Sequence, residues 1–141
     1  MEFHVSIFFI IEVIGTIAFA SSGAMVAIKQ QLDLLGVVVL GVTTAVGGGM
    51  MRDIILGNVP PSLFMNPVYV LTAFITVLVL FIVVRLNQKI LESRYIAAYE
   101  KMMNIFDAIG LAAFTVTGID TAVLAGYEDY HFLSVFLGVL T

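Results

Sequence analysis

Residues 43–53 read TTAVGGGMMRD and lie inside a long apolar stretch of the chain. Glycine costs about 1 kcal/mol relative to alanine in a helix interior, so three in succession cost roughly 3 kcal/mol and predict a bend. Irregular backbone inside a membrane is tolerated only where it is buried in protein or lines a water-filled cavity. We therefore expect Gly47, Gly48 and Gly49 to bend a membrane helix beside a polar path, with close helix packing as the alternative.

The composition around this stretch excludes several classes of protein. Of the 141 residues, 61% are hydrophobic and 11% are charged, whereas soluble domains are about half apolar and a quarter charged. The chain has no cysteine, which excludes disulfides and thiolate metal sites. Its net charge of −4 provides no basic surface, so nucleic acid is not an expected partner. These numbers predict a membrane protein.

Apolar stretches of about 20 residues, the length of one membrane span, predict an all-α polytopic fold. A fifth stretch, residues 132–141, has ten residues and at about 1.5 Å per residue reaches halfway across the bilayer. About four and a half transmembrane helices are therefore expected. The four full stretches are residues 5–28, 34–56, 67–86 and 105–126.

Basic residues predict the orientation of these spans, because cytoplasmic loops are enriched in lysine and arginine. One side of the membrane would hold only Arg52, so the N-terminus is expected outside a bacterial or archaeal cytoplasmic membrane. Residues 87–104 mix bases with apolar residues, which predicts an amphipathic cytoplasmic linker; contact with anionic lipid and a plain surface connector are both open. The bases expected on the cytoplasmic side are Lys29, Arg85, Lys89, Arg94 and Lys101, all but Lys29 forming the lipid-facing set.

An internal repeat organises the chain. Residues 12–23 (EVIGTIAFASSG) align with residues 107–118 (DAIGLAAFTVTG) at an offset of 95, and residues 40–44 (LGVTT) align with residues 137–141 (LGVLT) at an offset of 97. Because three spans precede the second copy, it should cross the membrane in the opposite sense, as in many transport proteins. Chance similarity of small-residue helices is the alternative. The expected units are residues 1–86, the linker 87–104, and the incomplete second repeat 105–141.

Polar residues inside the spans are candidates for an ion path. An ionised side chain at the centre of a membrane helix costs roughly 2.5 to 3.5 kcal/mol, so Arg52, Asp53 and Asp120 should face a path or form ion pairs. Glu12 and Asp107 fall on the polar faces of the first and fourth spans at helical spacing. Hydroxyl groups could serve a dehydrated ion, although they often bond to their own backbone. The candidate hydroxyls belong to Ser21, Ser22, Thr43, Thr44 and Thr117.

Catalytic and metal-binding interpretations find little support in the sequence. Arg52 stands where a dinucleotide-binding loop has its third glycine, and no phosphate-loop lysine follows. A proton-sharing pair of Asp53 and Asp120 would have no other feature of a protease around it. His4 and His131 lack the neighbours of a metal site. We therefore expect no enzyme activity, no cofactor and no metal site.

The run FASSGA at residues 19–24, followed by GGGMMRD at residues 47–53 in an inverted repeat, resembles the prokaryotic branch of the trimeric intracellular cation (TRIC) channel family. This family is also classed as bacterial membrane proteins with glycine-transporter domains (UPF0126). The resemblance implies seven helices, a homotrimer, and a pore in each subunit for monovalent cations, chiefly K⁺ and also Na⁺. In this family the glycine bends shape the pore, and residues 47–49 match the first bend.

The resemblance also leaves alternatives for the function. Thr141 matches Thr44, and the second glycine run would follow it, so we expect a chain shortened within the second repeat. A cation channel is the first interpretation. A secondary transporter of glycine or another small zwitterion is the second, since both need broken helices and buried charge near the midplane. A non-conducting structural subunit is the third.

Overall fold

The computed structural model of the chain describes residues 2–86 and 93–141, with the side chains of residues 9–86 and 101–141. The described residues are helical and contain no strand. The helices are α1 (Glu2–Lys29), α2 (Leu34–Ile55), α3 (Ser62–Met65), α4 (Val68–Leu86), α5 (Ser93–Leu124) and α6 (His131–Leu140). The expected all-α class is confirmed.

Four of these helices are long and apolar enough to cross a membrane. They contain the segments Phe9–Lys29, Leu34–Ile55, Val68–Leu86 and Lys101–Leu124, and α6 is a shorter apolar helix of ten residues. The apolar stretches in the sequence therefore mark the spans correctly, because a bilayer selects helices by length and hydropathy.

The predicted linker is only partly described. Lys89 lies outside the described residues, and Arg94 belongs to α5 without a described side chain. Arg85 and Lys101 are exposed. Met25 of α1, Val84 of α4 and Met103 of α5 form one buried cluster, so the C-terminal ends of α1 and α4 lie beside the start of the α5 span.

Helices α1 and α2 pack closely because small residues face each other. A Cβ atom added at Gly23 would lie 2.6 Å from Thr44 Oγ1 and 3.1 Å from Gly41 Cα. A Cβ atom at Gly41 would lie 2.5 Å from Val77 Cγ2 of α4 and 3.2 Å from the Ala20 carbonyl oxygen. The hydrophobic effect does not drive helices together in lipid, because lipid tails are as apolar as the side chains. Van der Waals contact between closely approaching backbones therefore supplies much of the packing energy.

The contact between α5 and α6 repeats this arrangement at the offsets of the sequence repeat. A Cβ atom at Gly118 would lie 2.8 Å from Thr141 Oγ1 and 2.9 Å from Gly138 Cα. One at Gly138 would lie 3.1 Å from the Thr115 carbonyl oxygen. These positions are the counterparts of residues 23, 44, 41 and 20, so the two helical hairpins use the same small-residue contact.

Helices α1 and α5 pack against each other in opposite directions. A Cβ atom at Gly15 would lie 2.9 Å from Phe114 Cε2, and one at Gly110 would lie 3.0 Å from Phe19 Cε2. The offset of 95 converts each of these contacts into the other, which is the signature of a local two-fold axis. The antiparallel pair is what inverted repeats require of their first helices; the complete inverted three-helix repeat stays a prediction.

The glycine run does not interrupt α2, which is helical from Leu34 to Ile55. The irregular backbone expected at residues 47–49 is therefore absent, and a smooth bend stays a prediction. A Cβ atom at Gly48 would collide with the Thr141 carbonyl oxygen and lie 2.9 Å from that of Leu140. One at Gly49 would meet nothing within 4 Å. Gly48 thus serves close packing against the end of α6.

The end of α1 has the hydrogen-bonding pattern of a Schellman motif. The Leu32 N–H donates to the Ala27 carbonyl over 3.1 Å, and the Gln31 N–H donates to the Ile28 carbonyl over 2.9 Å. Gln31 adopts a φ of 57°, a left-handed conformation that glycine accepts more readily. At the ends of α2 and α5 the residues equivalent to Gln31 are Gly57 and Gly126.

We expect Gln31→Gly to stabilise the protein by about 1 kcal/mol, because the left-handed penalty on a side chain disappears. The free energy of unfolding in mixed micelles during denaturation with SDS measures the change. Gln30→Gly is the control and should destabilise, since position 30 does not have a positive φ. Equal effects of the two substitutions would contradict this account of the helix end.

Gly48→Ala should destabilise the packing of α2 against α6 by about 1 to 3 kcal/mol, the usual cost of overpacking. Gly49→Ala should be neutral or stabilise by up to about 1 kcal/mol, because alanine is the better helix former and the space is open. Thermal unfolding in detergent compares the two variants. Equal destabilisation by both would show that the glycines act through helix propensity or bending rather than through contact.

Candidate functional site

A buried ion pair lies in the last turn of α2. Arg52 is 7% exposed and Asp53 is 2% exposed. The Arg52 Nε atom donates to Asp53 Oδ1 over 3.0 Å, and Arg52 Nη2 lies 3.0 Å from the same oxygen. Asp53 Oδ2 accepts from the Ser62 backbone N–H at 2.8 Å and from the Ser62 hydroxyl at 2.5 Å. Both carboxylate oxygens are therefore satisfied, and the start of α3 is held against α2.

A second carboxylate joins this pair from α1. Glu12 Oε1 lies 3.9 Å from Arg52 Nη1, and the Tyr69 hydroxyl of α4 donates to Glu12 Oε2 over 2.5 Å. The charged cluster, defined as Glu12, Arg52, Asp53, Ser62 and Tyr69, thus draws on α1, α2, α3 and α4. When its groups are ionised, two carboxylates face one guanidinium, and the cluster carries one net negative charge.

A cavity of about 310 Å³ opens beside the charged cluster, and we call it the Arg52 cavity. Glu12, Arg52 and Tyr69 give it a polar rim, whereas Ala45 and Phe114 form part of its apolar wall. Gly49 lies on the wall with free space in front of it. The remaining lining residues are Thr16, Val46, Met50, Ser62, Leu63 and Asn66.

A smaller cavity of about 170 Å³ lies toward the other end of α1 and α5. We call it the Asp107 cavity. Asp107 is the counterpart of Glu12 in the repeat, and among the described residues its buried Oδ1 atom has no hydrogen-bond partner. Ser22 and Asn104 add further oxygen atoms to the lining. The other lining residues are Met25, Val26, Lys29 and Met103.

The hydroxyl groups expected on the path mostly bond within their own helices. Ser21 donates to the Ile17 carbonyl over 2.7 Å, and Thr44 donates to the Leu40 carbonyl over 2.7 Å. Thr117 is buried and donates to the Phe114 carbonyl over 3.3 Å. These contacts match the alternative noted for Ser and Thr in membrane helices. Ser22 lines the Asp107 cavity, and Thr43 is exposed on α2.

The other predicted site residues are distributed as follows. Of the three glycines, Gly49 lines the Arg52 cavity, Gly48 packs against α6, and Gly47 faces Thr43 of its own helix. Asp120 is half-buried, and it lines neither cavity. Among the described residues, Arg52 forms ion pairs with Glu12 and Asp53.

Tyr69 and Ser62 are site residues that the sequence argument did not single out. Spans one and three run in the same direction, so Tyr69, the second residue of α4, lies at the membrane level of Glu12 near the start of its span. The order of the spans in the sequence could therefore have predicted that Tyr69 and Glu12 lie at the same depth in the membrane. Ser62 follows a turn after α2, and no periodicity in the sequence places its hydroxyl on Asp53.

The fold and site together define a class: a polytopic helical membrane protein with charged groups around a cavity between its first helices. The family described as glycine transporter matches residues 9–85. The chain therefore belongs to the glycine transporter (UPF0126) family, and the family resemblance is confirmed.

Membrane proteins of several bacteria are similar to this chain in sequence. A UPF0126 membrane protein of Deinococcus radiodurans is 36% identical over 131 residues, which cover 93% of this chain and 56% of the relative. YvgT of Bacillus subtilis is 38% identical over 118 residues, covering 84% and 54%. The UPF0126 inner membrane protein YadS of Escherichia coli is 35% identical, covering 93% and 58%. The chain thus spans little more than half the length of these relatives.

Solved structures of TRIC channels have a similar fold. One TRIC cation channel superposes with a TM-score of 0.76 at 37% identity, covering 93% of this chain and 59% of the other. The TRIC trimeric intracellular cation channel orthologue from Rhodobacter sphaeroides gives a TM-score of 0.80 at 30% identity, covering 96% and 64%. The arrangement of helices is therefore similar to that of about three fifths of a TRIC channel chain.

We expect Asp53→Asn to lower the free energy of unfolding by about 3 to 5 kcal/mol, because it leaves Arg52 buried with its closest carboxylate gone. Ser62→Ala should cost less, about 1 to 3 kcal/mol, because the backbone N–H of residue 62 still donates to Asp53. Denaturation with SDS in mixed micelles measures both. A loss for Asp53→Asn no larger than that for Ser62→Ala would show that the ion pair is not the main restraint.

Proposed function

We propose that the protein forms part of a path for monovalent cations, K⁺ first and Na⁺ second, with the Arg52 cavity as one entrance. The cavity combines a rim of ionisable groups with an apolar wall that includes Ala45 of α2 and Phe114 of α5. This single observation, a charged cavity entering the membrane-spanning helices, carries the proposal. The TRIC cation channels with the same helix arrangement support it.

The charge of the site favours cations over anions. Asp53 is neutralised by its short contacts to Arg52, whereas Glu12 lies 3.9 Å from Arg52 and faces the cavity. The lining of the Arg52 cavity contains both signs of charge, but the charged cluster beside it carries one net negative charge when its groups are ionised, and a negative field concentrates cations. Glu12 would therefore attract cations to the entrance, and Arg52 would hold Glu12 in place.

The alternative is a carrier of glycine or another small zwitterion. A carboxylate and a guanidinium share one cavity of about 310 Å³, so a ligand's ammonium group could meet Glu12 while its carboxylate meets Arg52. The description of the matching family as glycine transporter favours testing this ligand. In such a carrier the ligand would break the Glu12–Arg52 contact on binding, and uptake would saturate.

The proposal includes an assembly and a membrane orientation. We place the protein in the cytoplasmic membrane as a homotrimer with one path per protomer, supported by the trimeric channel relative and the inner membrane relative. The N-terminus would face outward, since Lys29, Arg85 and Lys101 lie at the ends of helices on one side. Residues 1–86 would form one repeat, 87–104 a linker at the lipid surface, and 105–141 the start of an inverted second repeat. The role is transport rather than catalysis.

The test is K⁺ flux and glycine uptake in proteoliposomes, with the 141-residue chain beside a version extended through the second repeat. We expect rapid, non-saturating K⁺ flux from the extended protein. Saturable glycine uptake without that conductance would reject the channel in favour of the carrier. No transport by either protein would favour a structural subunit.

In the conducting protein, Glu12→Gln should lower the K⁺ flux by about tenfold, because the charge that concentrates cations at the entrance is removed. Glu128→Gln is the matched control, since Glu128 is exposed after α5 and lines neither cavity. Its flux should stay unchanged. An equal loss in both variants would indicate a general surface-charge effect rather than a role for the Arg52 cavity.

A further inference from the structure

We propose that the stacked rings of Phe19 and Phe114 form the apolar constriction that separates the Arg52 cavity from the Asp107 cavity. The inference rests on the proposed function, because it assigns the closed point of the same cation path. The ring centroids lie 5.5 Å apart with an interplanar angle of 12°.

The pair lies near the middle of the membrane. Phe19 is the middle residue of the span Phe9–Lys29, and Phe114 lies close to the middle of the span Lys101–Leu124. The reciprocal glycine contacts of Gly15 and Gly110 place both rings at the local two-fold axis between α1 and α5. If the cation path has the same two-fold symmetry, its midpoint lies on the axis and therefore at the two rings.

Along α1 and α5, the residues that line the two cavities lie on opposite sides of the two rings. Phe114 is part of the wall of the Arg52 cavity, together with Thr16 of α1. Toward the C-terminal end of α1, Ser22 follows Phe19 by about one turn and lines the Asp107 cavity with Asp107 itself. Each cavity is therefore lined by one of two carboxylates that are equivalent in the repeat, Glu12 in the Arg52 cavity and Asp107 in the Asp107 cavity. The two phenyl rings lie between these carboxylates along α1 and α5.

The chemistry of the pair suits a constriction. Stacked phenyl rings offer no oxygen to a dehydrating cation, and apolar constrictions close ion paths by excluding water. Each ring lies against a glycine of the opposite helix, with 2.9 Å and 3.0 Å from ring carbons to the positions that a Cβ atom would take. The absence of side chains at Gly15 and Gly110 therefore leaves room for the rings, and a side chain at either position would have to displace a ring.

Accessibility of engineered cysteines tests the separation, since the chain contains no cysteine of its own. Gly49→Cys has open space for its side chain in the Arg52 cavity, and Ser22→Cys is nearly isosteric in the Asp107 cavity. In vesicles of the extended protein with one orientation, a membrane-impermeant cationic thiol reagent should modify these two cysteines from opposite sides. Modification of both from the same side would overturn the proposal.

Removing a ring should join the two cavities. In a Phe114→Ala background we expect Gly49→Cys to react from the side that was closed to it, at least about tenfold faster than before, because the water-excluding ring is gone. The K⁺ flux should rise by a similar factor, whereas Phe114→Leu should keep the path closed. Phe74→Ala is the matched control, an aromatic side chain 40% exposed on α4. Unchanged access and flux in folded Phe114→Ala would overturn the proposal.

Gly15→Ala provides a second variant should Phe114→Ala fail to fold. Its methyl group would lie 2.9 Å from Phe114 Cε2 and must displace the ring. We expect a change of at least about threefold in K⁺ flux and in cysteine reactivity, and unchanged values would contradict the constriction. If the parent protein conducts no K⁺, the proposed function fails, whereas the cysteine reactivity still reports whether the rings separate the cavities.

Discussion

A guanidinium buried at the end of a membrane helix is the constraint on which the site depends. Leaving Arg52 unpaired in an apolar environment would cost several kcal/mol, so the surrounding elements supply partners. Asp53 contacts it directly, Ser62 fixes Asp53, and Glu12 approaches from α1 with Tyr69 of α4 behind it. One charge thereby links the ends of α1, α2 and α4 and creates the polar rim of a cavity that the apolar helices alone would not form.

Small residues and aromatic rings organise the rest of the bundle around two hairpins of the same design. Gly23 and Gly118 occupy equivalent contacts in the α1–α2 and α5–α6 pairs, and the offset of 97 relates their partners Thr44 and Gly41 to Thr141 and Gly138. Between the hairpins, the rings of Phe19 and Phe114 meet across a local two-fold axis. Helices α1 and α5 therefore run in opposite directions. Glu12 lies near one end of their interface and Asp107 near the other.

The sequence predicted the spans, whereas at the glycine run it left a bend and close packing both open. Length and hydropathy decide whether a helix can cross a bilayer, so residues 34–56 became α2 with little change. The three glycines predicted a bend beside a polar path or, as the alternative, close packing; α2 stays helical through them, and Gly48 packs against the end of α6. Intrinsic propensity is outweighed here by close packing, and packing depends on a partner that the local sequence does not contain.

The sequence by itself determined the class of the protein, the four spans, the repeat and the inward location of Arg52 and Asp53, because each follows from hydropathy, spacing or the cost of charge in lipid. The tertiary structure alone decided the partners. It brought Tyr69 to Glu12 across 57 residues and Ser62 to Asp53, and it stacked Phe19 on Phe114. Ser21 and Thr44 were equally good candidates by composition, but their hydroxyls turned to their own helices. Which polar group faces a cavity depends on how the helices rotate and pack, and that rotation is fixed by contacts between distant segments.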